Sequence, residues 1–149
     1  MNQLIAPYGD ALVNLIDPAK SEALKQEALS LPSLDLDWRQ QCELEMLMTG
    51  AYSPLTGYMT RAQCTQVETG MQLDDGTCWP LPITLGSRQK AAGELKPGDR
   101  VALRDGEGFM LAVLAISDVW QDNETWHLGG AVEGLGLPPH PDFANLRAT

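Results

Sequence analysis

The sequence predicts a mainly β fold of the α+β class, a small β-barrel whose short helices lie in the N-terminal half. Three observations predict it. From residue 95 to 132 the chain reads as short strand-like runs spaced by Lys96-Pro97-Gly98-Asp99 and Asp105-Gly106-Glu107-Gly108, the rhythm of strands joined by glycine turns. Before Gly70, apolar residues instead recur at helical spacing behind helix start signals. The 149 residues, 44% hydrophobic and 20% charged, suit a globular chain with a real core. Residues 1–149 are therefore read as a single domain.

In order, Pro7-Tyr8-Gly9-Asp10 is a turn, and 11–16 a short strand or extended entry. Asp17-Pro18 places an N-cap before a proline at the first helical position. Ala23, Leu24, Ala28 and Leu31 form the apolar face of that helix, Lys20, Glu22, Lys25 and Glu27 stay wet, and Pro32 helps to stop it. Leu34 and Leu36 alternate with Asp35 and Asp37, as in a brief strand or extended link. A second helix opens with Asp37 as N-cap and Gln40 three residues later, the spacing of a capping box. Cys42, Met46 and Leu47, widened by Leu44 and Met48, give its apolar face, and Gly50 supplies the positive φ that ends it. Pro54 fixes and Gly57 frees the backbone of the loop Ser53-Pro54-Leu55-Thr56-Gly57. Thr60 and Gln63 repeat the capping-box spacing before a short helix over 61–69, closed by Gly70. Asp74-Asp75-Gly76 is a hairpin turn. Two prolines make 79–85 an edge or entry strand. Strands are expected over 100–104, 109–120 and 125–132, with Trp79, Trp120 and Trp126 filling the core or plugging the ends.

A net charge of −10 and a pI near 4.4 oppose binding to nucleic acid or to anionic membranes. The start, MNQLIAPYGD, has no basic region and no long apolar run, so it is not a signal peptide. The most apolar run, 109–116, is too short to span a bilayer. Cys42, Cys64 and Cys78 are odd in number and lack C-x-x-C spacing, which fits a reducing cytosol; Cys42 and Cys64 read as small apolar helix residues. A soluble, cytoplasmic protein is expected.

Several stretches resemble a known family. CELEMLMTGAYSPLTGYM (residues 42–59) resembles the C-D-L-E…G-A-F-S-P-L-T-G-F-M segment of ATP sulfurylases (sulfate adenylyltransferases), with Tyr52 and Tyr58 in place of Phe and Glu43 in place of Asp. DGTCWPLPITL (75–85), LGGAVEGL (128–135), LPSL (31–34) and LPPHPDF with Leu146-Arg147 are similar to further blocks of the same family in the same order. The family's P-H-G-G is Pro7-Tyr8-Gly9-Asp10 here, so any role of that histidine does not carry over. An insert with a T-x-D-x-x-H-P-G-V pattern, found in many members before the L-G-G block, is replaced by Gln121-Asp122-Asn123-Glu124-Thr125-Trp126-His127. The resemblance implies a shortened variant of the N-terminal, PUA-like β-barrel domain of an ATP sulfurylase, alone or fused to an adenylylsulfate kinase. The parent reaction it implies joins ATP and sulfate into adenylylsulfate and pyrophosphate, with ATP and Mg handled by the parent enzyme.

That transfer needs positioned cations and N–H donors around a highly anionic transition state. The family supplies them from Q-x-R-N-P and H-x-G-H motifs in its second domain, and neither motif occurs here. Near misses fail on chemistry. Gly93 to Asp99 has P-loop glycine spacing, but Asp99 replaces the lysine. Gly106-Glu107-Gly108 lacks the third glycine of a dinucleotide loop, no cysteine–histidine set has zinc spacing, and no serine sits in G-x-S-x-G. His127 and His140 stand alone and are read as structural or exposed. Glu43 and Glu45, two apart on a helix, face different ways. Glu45, which the resemblance preserves, either braces its helix or loop or forms an interdomain salt bridge, with Arg39 or with a residue outside this chain. No catalytic, cofactor-binding or metal-ligating residue is therefore assigned, and this chain alone is expected to be inactive. The expected partner is a catalytic sulfurylase domain, in cis or in trans, with room for a homo-oligomer. The chain is read either as a domain cut from a longer protein or as an isolated domain gene. Two rival roles are an RNA-binding PUA module, which the charge opposes, and a stand-alone regulatory domain docking on a separate enzyme.

Overall fold

The computed structural model describes residues 5–139. Three helices, α1 (Pro18–Ala28), α2 (Trp38–Met48) and α3 (Arg61–Gly70), alternate with β1 (Ser33–Asp35) and β2 (Gly57–Tyr58). Then come β3 (Leu85–Ser87), a 3-10 helix (Lys90–Glu94), β4 (Arg100–Arg104), β5 (Met110–Asp122) and β6 (Thr125–Gly134). The fold is mainly β, of the α+β class.

Each helix starts as its residues dictate. The Asp17 carboxylate accepts from the Ala19 N–H, with Pro18 at the first position. At α2, Asp37 Oδ1 accepts from Gln40 N–H at 2.8 Å, and Gln40 Oε1 accepts from Asp37 N–H at 2.9 Å. Thr60 and Gln63 make the same reciprocal pair at α3. Gly50 takes φ 86° after α2, as expected. Gly70, however, is the last residue of α3, and it is Met71 that turns left-handed, at φ 50°. The Met71 N–H still reaches Val67 O at 2.8 Å, so the helix ends by the usual backbone bond one residue later than glycine would place it.

The buried face of α2 is also rotated from the expected one. Gln40, Leu44, Leu47 and Met48 are buried, Cys42 is half-buried and Met46 is 40% exposed. In α1, Leu24 and Ala28 are buried and Ala23 is exposed.

The sheet runs β1-β4-β5-β6-β2, and β3 lies beside β2 on the same edge of β6. All pairs are antiparallel except β1 with β4. The two outer strands, β1 and β3, are joined by a side chain. Just beyond β3, the Gln89 amide accepts from Asp35 N–H at 3.2 Å and donates to Asp35 O at 2.7 Å. One glutamine thus mimics the missing ladder, and the strands form a nearly closed ring. Inside it lies the main core, including Leu34, Leu85, Leu103, Leu114 and Leu128. Outside it, α1 packs Leu24 and Ala28 on Ala102 and Val113, so β4 is buried on both faces. Arg100 fastens this layer, with its guanidinium 2.6 Å from Glu27 of α1 and 2.7 Å from Glu133 of β6.

The second half matches its glycine punctuation closely. The Asp105 carboxylate accepts from the N–H groups of Glu107 and Phe109, forming the β4–β5 turn. Asn123, at φ 52°, helps close the β5–β6 hairpin directly. One expectation is corrected here: 79–85 is not a strand. Pro80 and Pro82 cannot donate to a ladder, the segment is held by Trp79 N–H to Met71 O and Met59 N–H to Ile83 O, and pairing begins at Leu85. The Asp74-Asp75-Gly76 turn forms with Gly76 at φ 83°, but its arms meet only at a Gln72–Cys78 bridge. Trp79 is in the core, edge-on to Tyr52 at 6.2 Å, while Trp120 and Trp126 are half-buried against it.

Candidate functional site

The loop after α2 is built from both sides. Ser53, buried, accepts from Val13 N–H at 2.9 Å and donates to Gly50 O at 2.7 Å. That ties the loop to the entry segment, which is itself pinned by Leu15 N–H to Met48 O and Gly134 N–H to Leu15 O. The Ser53–Pro54 peptide bond is cis. Thr56 O then accepts from Val132 N–H, and Gly57 and Tyr58 pair with Ala131 and Gly130. The backbones approach closely at this seam. A Cβ on Gly57 would lie 2.0 Å from Gly130 O, and one on Gly130 would lie 2.0 Å from Ala115 O. Glycine is needed for contact distance at both positions.

Because the seam carries almost no side chains, it forms the floor of a groove of about 560 Å³. The loop 54–56 walls one side, and α3 with the 72–75 turn walls the other. Asp74 and Asp75 line it, and the Asp75 carboxylate, accepting from Thr77 N–H at 2.9 Å, is held below the usual carboxylate range by its bonds to Thr77.

A second groove of about 460 Å³ is polar and lies where β1, the start of α2 and the 84–89 segment meet β6. Arg39 pairs with Glu43 one helical turn on. Burial raises the Glu43 carboxyl above its usual range, with Arg39 opposing. Glu45 is half-buried, and its carbonyl accepts from the Thr49 N–H and hydroxyl. His127 stacks on Trp120 with ring centres 5.2 Å apart; its Nδ1 is buried without a hydrogen-bond partner, and burial lowers its pKa. The other histidine, His140, lies outside the described residues.

Among the described residues, no group of three histidine, cysteine, aspartate or glutamate side chains is placed to hold a metal. The Gly93–Asp99 stretch does not fit a phosphate: the Asp99 carboxylate accepts from Lys96 N–H and closes the turn on itself. No described helix is long and apolar enough to cross a membrane. The first groove draws on residues from several segments, and no sequence spacing announces it.

Over residues 5–147 the chain matches the PUA-like domain family. The chain belongs to that family. Its relatives also point one way. The sulfate adenylyltransferase of Saccharomyces cerevisiae is 33% identical over 173 aligned positions, covering 97% of this chain and 34% of that protein. A probable bifunctional SAT/APS kinase 2 of Sorangium cellulosum is 39% identical over 147 positions, covering 98% of this chain and 25% of the other. The longer yeast alignment contains positions this chain lacks, whereas the Sorangium alignment needs almost none, consistent with a shortened variant. Among solved structures, the hexameric APS kinase from Thiobacillus denitrificans superposes with a TM-score of 0.95 at 73% identity, over 99% of this chain and 30% of that one. This PUA-like chain thus spans about a quarter to a third of the length of these relatives.

Proposed function

We propose that this PUA-like chain is the N-terminal, non-catalytic domain of a sulfate adenylyltransferase, supporting a catalytic domain that transfers the adenylyl group of ATP to sulfate and releases pyrophosphate. One observation carries the reading: sulfate adenylyltransferases match almost all of this chain while most of their own length lies outside the match. In this reading residues 1–149 form one domain, and ATP and Mg belong to the catalytic portion. The hexameric relative and the bifunctional one support a parent that oligomerises and is linked to an adenylylsulfate kinase. The test is pyrophosphate release from ATP and sulfate with Mg. Residues 1–149 alone should give none above buffer, and sustained turnover would overturn the reading.

A further inference from the structure

The groove beside the 53–57 loop has the features of a seat for another stretch of polypeptide. Its floor is backbone and small side chains at Gly57, Gly130 and Ala131. Gln66 and Gln72 line it with amides able to donate and accept, as an incoming backbone requires, while the Gln63 oxygen is engaged by Thr60. Leu55 and Leu73, both half-buried, add apolar surface. The rim has one sign. Asp74 and Asp75 line it, and among the described residues no lysine, arginine or histidine does. The chain as a whole adds a net charge of −10. Such a rim repels phosphates and favours a cationic head on an aliphatic stem.

We propose that this groove receives a lysine- or arginine-bearing segment of the catalytic portion of the parent enzyme, its stem over Gly130 and Ala131 and its charge at Asp74 and Asp75. The inference rests on the proposed function and identifies the docking face that serves it.

The test uses the full Thiobacillus denitrificans APS kinase chain with residues 1–149 of this protein replacing the matched segment, a swap at 73% identity. The photo-crosslinker benzoylphenylalanine replaces Gln66 or, in a second variant, Ala131, both exposed in the groove. The adduct is then located by mass spectrometry. At least one position should link to a peptide outside residues 1–149, next to a lysine or arginine. Changing both Asp74→Asn and Asp75→Asn should lower the yield about threefold at low salt, the scale of two exposed ion pairs, and less at high salt. A link to a second copy of residues 1–149, a link remote from any base, or no link from either position would overturn the proposal. Pyrophosphate release by the same chimaera separates the two readings. Turnover without the link removes the groove alone, and the link without turnover counts against the enzyme reading alone.

Discussion

Replacing Tyr58 by phenylalanine should make the protein more stable. Tyr58 is 3% exposed in the main core, and its hydroxyl is buried without a hydrogen-bond partner. Burial pushes the phenol far above its usual range, and Glu43 adds to the shift. In the unfolded chain that hydroxyl is hydrated, so folding strips it of water and returns nothing. An unsatisfied buried polar group costs about 1–3 kcal/mol, while the phenyl ring keeps almost all the packing. A gain of about 1–2 kcal/mol is therefore expected, which for a chain of this size raises the melting temperature by roughly 2–8 °C. Urea unfolding and thermal melts of the wild type and Y58F measure it. A fall in stability with an unchanged urea slope would mean that the hydroxyl has a partner, and would refute the reasoning.

Three further outcomes follow from the geometry. Gly57→Ala drives a Cβ to 2.0 Å from Gly130 O, where both sides of the seam are backbone; it should cost about 3 kcal/mol by urea denaturation, and a neutral result would show that the seam can open. With Ellman's reagent at pH 8, the exposed Cys78 should label quickly, while Cys64, pushed up to about 11 by burial, should label only at the rate of opening; peptide mapping of early adducts on Cys64 would contradict this. His127 is held below its ordinary 6.5 chiefly by burial, with Asp122 opposing. The neutral form is favoured in the fold, so its contribution is fully present above pH 6.5 and is lost as pH falls through 6.5 toward the lower folded value. The urea-midpoint difference between wild type and H127F, whose ring can still stack on Trp120, should shift against the wild type on acidification through that window. A shift in its favour would contradict the assignment.

Local chemistry determined a large part of this protein. Asp37 with Gln40 and Thr60 with Gln63 set two helix starts, Gly50 ended a helix, and Asp105 to Gly108 set a hairpin, because each depends on atoms a few residues apart. The ordered motif blocks likewise marked the family, since they are linear strings. Tertiary structure decided what linear spacing cannot carry. It turned the outer face of α2 so that Met46 stays exposed, since the neighbours of a helix choose which residues face the core. It moved β3 past the two prolines to Leu85–Ser87, where unpaired β6 edge was available. It closed the ring through Gln89 and Asp35, 54 residues apart. The groove, too, is assembled only where the 54–60 loop, α3, the 72–75 turn and the glycine seam of β6 meet, so its shape and single-signed rim arise from packing between segments that the sequence keeps apart.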